Sequence, residues 1–194
     1  MQPYPEQGAV VVSADVVDLI MQDHREVERL FDEMRSHPEK RPLMVPTLVA
    51  LLTAHSRAEE AEVYPVAKDE AGETEEVAHS QEEHAEAEKL LRRLVETNPE
   101  SSKFDEILDE LVEAVTHHVE EEESTVLPGM RERLDEERLA ELGAAFAASR
   151  AEHLGDRPGD ASREELVAQA RNAGISGASS MSKQELVDAL ADLT

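Results

Sequence analysis

The 194-residue sequence contains no cysteine. This absence excludes disulfides, thiolate zinc sites, iron–sulfur clusters and a cysteine nucleophile. Aromatic residues make up only 3% of the chain and tryptophan is absent, so an apolar core has to be built from alanine, leucine, valine and isoleucine. These residues, together with abundant glutamate, favour helices.

Basic residues are also scarce, because 19 Lys and Arg stand against 45 Asp and Glu, a formal net charge of −26. Binding to phosphate needs clustered basic side chains, so we expect neither nucleic acid nor an anionic membrane as a partner. The longest apolar run, Leu48 to Ala54 with Thr53 inside it, is too short to span a bilayer. The N-terminus lacks the basic start and apolar stretch of a secretory signal, and we expect a cytoplasmic protein.

Hydrophobic periodicity predicts four long helices. Apolar residues recur at spacings of three, four and seven in four stretches, at about residues 15–36, 43–68, 73–97 and 103–127. Segments rich in proline, glycine or serine separate these stretches, and no alternation typical of strands competes with them. The pattern predicts an all-α fold, an up-down-up-down four-helix bundle.

The remaining sequence predicts an extra packing helix and a small C-terminal helix pair. A fifth periodic segment covers about residues 135–152, and residues 155–161 have the composition of a linker. The two short helices that follow each begin with a Ser-x-x-Glu capping box, Ser162–Glu165 and Ser182–Glu185. We expect a flexible lead-in at 1–13, a bundle domain at 14–154, the linker, and a separate module at 162–194.

Each predicted bundle helix carries a histidine on its apolar face. At about 100° per residue, the second and fourth helices each add a glutamate one turn after that histidine. The other four of the eight histidines fall outside the apolar faces; these are His37, His79, His117 and His153. The inward set is His24, His55, Glu59, His84, His118 and Glu122.

These six side chains are predicted to meet at one level of the bundle. Measured from the connecting turns, their heights differ by up to about 6 Å at 1.5 Å of rise per residue, which side chains can span. Buried carboxylates are costly without a partner, and no lysine or arginine lies at the centre of an apolar face, so a cation is required. Imidazole and carboxylate without thiolate suit iron, zinc or manganese, and six ligands match a dinuclear carboxylate-bridged centre.

The ordered motifs resemble the hemerythrin-type HHE cation-binding domain over about residues 14–135. The matching elements are Gln22-Asp-His24-Arg, His55-x-x-x-Glu59, Glu83-His84 and His118-x-x-x-Glu122. The resemblance implies a non-haem centre of two irons per chain, bridged by an oxo or hydroxo group and by both glutamates. It also implies O₂, peroxide or nitric oxide as ligands.

Two departures from that family's oxygen carriers bear on reactivity. Ser80 stands one turn before His84, where a carrier has a further histidine, and the fourth helix uses Glu122 in place of an aspartate. We therefore expect weak peroxide consumption instead of reversible O₂ carriage. Glu88, one turn after His84, is a candidate substitute ligand or supporting residue.

The C-terminal residues 162–194 resemble the small helical N-terminal module of the Rho transcription terminator. Residues 160–194 hold three basic and six acidic side chains, which favours a protein partner over nucleic acid. Two alternative functions stay open beside oxidant chemistry. One is an iron-binding regulator or store without catalysis, and the other is a helical adaptor that acts through the C-terminal module.

Overall fold

The protein is described here by a computed structural model that covers residues 15–193, and this part of the chain contains helices and no β-strand. The expected lead-in at 1–13 lies outside the described residues. The helices are α1 (Val16–Ser36), α2 (Arg41–Ala58), α3 (Tyr64–Asp69), α4 (Thr74–Val95), α5 (Ser102–Ser124), α6 (Val126–Arg133), α7 (Glu136–His153), α8 (Arg163–Asn172) and α9 (Lys183–Ala191).

Helices α1, α2, α4 and α5 form the predicted four-helix bundle. Helix α1 packs against α2 and α5, and α4 packs against α5 and α2, so the four helices form a closed ring. Helix α7 is the predicted extra helix and packs against both α1 and α2. No helix between residues 15 and 193 is long and apolar enough to cross a membrane.

Two features of the helices differ from the sequence prediction. A π-helical turn, Glu59–Val63, joins α2 to α3 without a break in the chain direction. The predicted fourth helix ends early, because the Thr125 and Ser124 hydroxyls bond to the carbonyl of Glu121 and Pro128 has no N–H to continue the ladder. Helix α6 is therefore a separate element.

The bundle core consists of two apolar clusters separated by a polar layer. One cluster includes Ile20, Val63 and Val77, and the other includes Val27, Leu52 and Ala87. The break between the clusters falls at the inward histidine on α1, α2 and α4, and at Glu122, one turn after His118, on α5. The polar layer thus lies at mid-height in the bundle, closed off from water above and below.

The C-terminal helix pair has its own small core and also packs on the bundle. Both predicted capping boxes, Ser162–Glu165 and Ser182–Glu185, are present, and they begin α8 and α9. Helix α8 lies against the π turn and α4. Its buried Asn172 amide donates to the main-chain carbonyl of Glu60 (2.9 Å), so the pair does not stand apart from the bundle as the linker composition suggests.

We predict that Asn172→Ala destabilises the bundle. The change leaves the Glu60 carbonyl without its donor, which costs about 1–3 kcal/mol in the free energy of unfolding. Thermal unfolding followed by circular dichroism measures it, with the exposed Gln184→Ala on α9 as a control that stays within about 0.5 kcal/mol of wild type. Unchanged unfolding of Asn172→Ala would show that the module is energetically independent of the bundle.

Candidate metal centre

All six inward residues predicted from the sequence lie together in the polar layer. Glu59 and Glu122 have no exposed surface, and the four histidines are 2–6% exposed. Helices α1, α4 and α5 each deliver a histidine, α2 delivers His55, and the π turn begins at Glu59. Since π turns are frequent at functional sites, the turn at Glu59 is itself consistent with a site here.

Each glutamate lies between two histidines. Glu59 Oε2 is 3.2 Å from His55 Nε2 and 3.3 Å from His84 Nε2. Glu122 Oε2 is 3.3 Å from His24 Nε2 and 3.9 Å from His118 Nε2. The Nε2 atoms thus point inward, toward the two carboxylates.

The Nδ1 atoms point outward, and each faces a carboxylate from the neighbouring helix. This outer set forms a closed ring, because on each helix the residue next to one inward residue contacts the histidine of the next helix. The contacts are His55 to Asp23 (3.2 Å), His84 to Glu60 (3.3 Å), His118 to Glu83 (2.9 Å) and His24 to Glu123 (2.9 Å). We call these four carboxylates the outer ring.

The outer ring determines which imidazole nitrogen carries the proton. A carboxylate can only accept, so each Nδ1–H donates to it and each neutral imidazole keeps a lone pair on Nε2. His84 Nε2 and His118 Nε2 then lie 3.1 Å apart with lone pairs facing each other. Two acceptors at that distance require a proton or a metal cation between them.

The unpartnered acceptor atoms of the polar layer are a second observation that fits a bound metal ion. Both oxygens of Glu59, both oxygens of Glu122, and Nε2 of His24 and His55 are buried with no hydrogen-bond partner among the described residues. Leaving so many buried acceptors unpaired is costly, and a cation satisfies all of them together. Five of the six inward residues form two groups with metal-ligand spacing that share Glu59, namely His24–His55–Glu59 and Glu59–His84–His118.

The charges of the layer are arranged as expected for a site that binds a cation. Burial opposes ionisation of Glu59, but the neighbouring His55 and His84 hold its pKa well below the usual range. Burial also opposes protonation of the histidines, yet Glu59 and the outer carboxylates raise the pKa of His55 to about 10 and that of His84 to about 9. Without a metal, protons on these imidazoles therefore balance the buried carboxylates.

Residues from outside the four helices support the outer ring. Arg150 of α7 pairs with Asp23, and although burial alone raises the pKa of Asp23, the His55 and Arg150 contacts hold it below its usual range. The Gln169 amide of α8 donates to Glu60 Oε2 (2.8 Å), and Gln81 donates to Glu60 Oε1 (2.9 Å). The extra helix and the C-terminal pair thus both reach the histidines through one intervening carboxylate.

Tyr64 is a further residue of the layer that the sequence analysis missed. Its hydroxyl lies 3.0 Å from His84 Nε2, and the side chain is fully buried. Burial and the charges of Glu59, Glu122 and Glu60 raise its pKa well above the ordinary value, so the phenol stays protonated. Tyr64 follows Glu59 by five residues, and the intervening π turn decides its orientation; a wheel at a constant 100° per residue does not include that turn.

The candidate ligand Glu88 does not face the layer. Its carboxylate accepts from Arg57 Nη2 (3.0 Å) and from the main-chain N–H of Gly159 (2.6 Å). The carboxylate that contacts Nδ1 of His84 is Glu60, supplied by the π turn that follows α2. Helical periodicity predicts which face of its own helix a residue occupies. It does not predict which charged side chain the neighbouring helix presents to that face.

The outer ring corresponds to a sequence pattern that the assignment of apolar helix faces did not consider. Asp23, Glu60, Glu83 and Glu123 each stand directly beside an inward ligand. A chain neighbour lies about 100° round the helix, at the interface with the next helix, where it meets that helix's histidine. An acidic residue beside one inward residue of each helix is therefore the pattern that predicts such a ring.

A cavity of about 20 Å³ adjoins the histidines, which is room for about one water-sized molecule. Apart from the histidines, its wall is mostly apolar, with Val27, Leu52, Ala87, Val115 and Val119. Leu52, Ser56, His84 and Ala87 also line a second pocket that extends outward between α2 and α4 to Arg57 and Glu88. The two pockets therefore adjoin each other at these four residues.

Comparison with known proteins agrees with this geometry. A protein of Nostoc sp. (strain PCC 7120), described as a DNA nickase, is 29% identical over 146 residues, which are 74% of this chain and 41% of that protein. An uncharacterized hemerythrin-like protein of Schizosaccharomyces pombe is 27% identical over 135 residues, 68% of this chain and 66% of that protein. This chain therefore spans less than two thirds of either relative. No solved structure matches it.

Two family models match separate parts of the chain. The Rho termination factor N-terminal domain matches residues 162–192, the C-terminal pair. The hemerythrin HHE cation binding domain matches residues 15–130, which contain all six inward residues of the polar layer. The chain belongs to the hemerythrin HHE cation-binding family.

Proposed function

We propose that this protein binds two iron ions in the polar layer and reacts with or senses a small oxidant. The ligands are His24, His55, Glu59, His84, His118 and Glu122. The observation that carries the proposal is the pair of buried groups that share Glu59, whose donor atoms lack partners within the protein. The family match supports a cation, and the donor chemistry of imidazole and carboxylate suits iron.

The arrangement of the donors supports two ions in preference to one. His24 and His55 lie on one side of the layer, and His84 and His118 lie on the other. Glu59 contacts a histidine of each side, and so does Glu122. Two carboxylates placed between two histidine pairs are what a dinuclear site requires.

An iron pair bound by these residues would supply one-electron chemistry and open positions for a small ligand. The six residues supply four imidazole nitrogens and four carboxylate oxygens, fewer donors than two six-coordinate ions use, and Glu88 is committed to Arg57. The apolar cavity excludes larger molecules and admits O₂, peroxide or nitric oxide. The Tyr64 hydroxyl keeps its proton and can donate a hydrogen bond at the His84 side of the layer.

The alternatives predict different behaviour of the same protein. A store or regulator without catalysis would hold iron but neither bind nor consume an oxidant. An adaptor that acts through α8 and α9 would work without the metal.

The activity in the Nostoc protein's description would require DNA binding, which the net charge of −26 disfavours. A supercoiled plasmid incubated with the iron-loaded protein should therefore stay intact.

We predict that His118→Ala strongly lowers the iron content, from about two ions per chain to at most one. The variant removes an Nε2 donor from one side of the layer and leaves Glu83 without the donor it accepts from. Iron analysis of the purified protein measures this result. His37→Ala, a matched histidine variant in an exposed turn, should retain wild-type iron, and equal iron in His118→Ala would contradict the ligand assignment.

We also predict that iron affinity rises steeply with pH between about 6 and 8. The metal must displace the protons that His55 and His84 hold up to pH values of about 10 and 9. Two displaced protons correspond to about a hundredfold gain in affinity per pH unit. Competition against a chelator of known pH dependence measures this slope. A slope near zero would show that the imidazoles are already neutral without the metal.

The next prediction concerns the reaction with O₂ and peroxide, and how these ligands reach the histidines through the adjoining cavity. When the reduced, iron-loaded protein is exposed to O₂, we expect the iron to be oxidised and to stay oxidised after O₂ is removed. The oxidised protein should then consume peroxide slowly. Ala87→Leu fills the cavity, so that a ligand has to displace the added side chain; if that displacement costs about 1–3 kcal/mol, the size of a typical overpacking penalty, both reactions slow about five- to hundredfold at unchanged iron content. Visible spectroscopy through repeated O₂ cycles measures it. A stable oxygenated spectrum over many cycles would indicate a carrier or sensor instead.

A further inference from the structure

A second group of histidines and glutamates lies outside the polar layer, on the outer surface of α4 and α5. His79 and Glu83 stand one turn apart on α4, and His117 and Glu121 stand one turn apart on α5. Because the two helices pack side by side, both pairs meet across the interface. These are two of the histidines that the helical wheel excludes from the bundle interior.

The four side chains converge closely. His79 Nε2 is 3.1 Å from Glu121 Oε2 and 3.7 Å from Glu83 Oε1. His117 Nε2 is 3.3 Å from Glu121 Oε1 and 3.6 Å from Glu83 Oε1. One ligand atom from each residue lies within 4.8 Å of the other three, a spacing that a single metal ion can bridge.

The carboxylates of this group are not neutralised by protein cations. Among the described residues, no lysine or arginine pairs with Glu83 or Glu121. Glu83 Oε1 is buried and has no hydrogen-bond partner there, while Glu83 Oε2 accepts from His118. The His118 contact therefore fixes the carboxylate with its free oxygen turned toward His79 and His117.

Other exposed histidine–carboxylate groups of the chain lack this property. The Glu33–His37 pair comes from one end of α1 alone, and Lys40 lies 3.2 Å from the Glu33 carboxylate. In the group of His153, Asp156 and Glu165, the Glu165 carboxylate already accepts the N–H of Ser162 in the capping box (2.6 Å). The group on α4 and α5 is set apart by carboxylates that face only histidines.

We propose that His79, Glu83, His117 and Glu121 form a second metal site, for a divalent transition-metal ion of the zinc type. Two imidazoles and two carboxylates complete a four-coordinate N₂O₂ set, the number and kind of donors that Zn²⁺ takes. His79 and His117 are more than half exposed, so the ion enters directly from solvent. A bound ion would link α4 to α5 at the level of His118.

The test adds Zn²⁺ to the full iron-loaded chain, removes loosely held metal by gel filtration and measures both metals. We expect one Zn²⁺ per chain at unchanged iron content. The double variant His79→Ala/His117→Ala should retain iron and bind no Zn²⁺, while His37→Ala should match wild type. Glu121→Gln should weaken binding at least about tenfold by calorimetry, since losing even a residue that only supports a ligand costs that much.

Thermal unfolding supplies an independent readout, because an ion that binds only the folded chain stabilises it. Zn²⁺ should raise the melting temperature of wild type and of His37→Ala, and leave that of the double variant unchanged. Zn²⁺ retained by the double variant would overturn the proposal. So would Zn²⁺ that enters wild type only as iron leaves, because that ion occupies the buried layer.

Discussion

Two carboxylates with no access to water are the constraint on which the rest of this molecule depends. Glu59 and Glu122 are fully buried between two apolar clusters, where an unpaired charge costs several kcal/mol. Each of them lies between two histidines. Although burial opposes protonation, Glu59 and the outer carboxylates raise the pKa values of His55 and His84, so that protons on these two imidazoles offset the charge of Glu59 in the metal-free chain. These protons make the buried charge of Glu59 tolerable without a metal, and a bound metal ion would satisfy both carboxylates directly. Metal binding and folding are therefore linked in this bundle.

The outer ring extends that constraint to elements beyond the four helices. Each outer carboxylate holds the histidine of the next helix and is itself buried or half-buried, so it needs partners of its own. Arg150 of α7 meets Asp23, and Gln169 of α8 meets Glu60. The accessory helix and the C-terminal pair thus stabilise the orientation of the inner ligands. A partner that displaced α8 would uncover Glu60 and thereby disturb His84.

Glu83 connects the polar layer to the group of His79, His117 and Glu121 on the surface of α4 and α5. One of its oxygens accepts from His118 of the polar layer, and the other faces His79 and His117 at the surface. A carboxylate shared in this way transmits charge: a cation on its outer oxygen makes it a weaker acceptor for the His118 N–H. The chain therefore places a contact with solvent one carboxylate away from its buried centre.

Helical periodicity in the sequence by itself determined the bundle, the capping boxes that begin α8 and α9, and the six inward residues. Those features depend on spacing within one helix, which the 3.6-residue repeat makes readable. The tertiary structure alone decided the hydrogen-bond partner of each outer carboxylate, the orientation of Tyr64 after the π turn, the turning of Glu88 to Arg57, and the packing of α8 on Glu60. Each of these depends on which side chain the neighbouring helix presents at a given height. Periodicity describes the face of one helix, whereas a contact between helices also requires the register and rotation of the other.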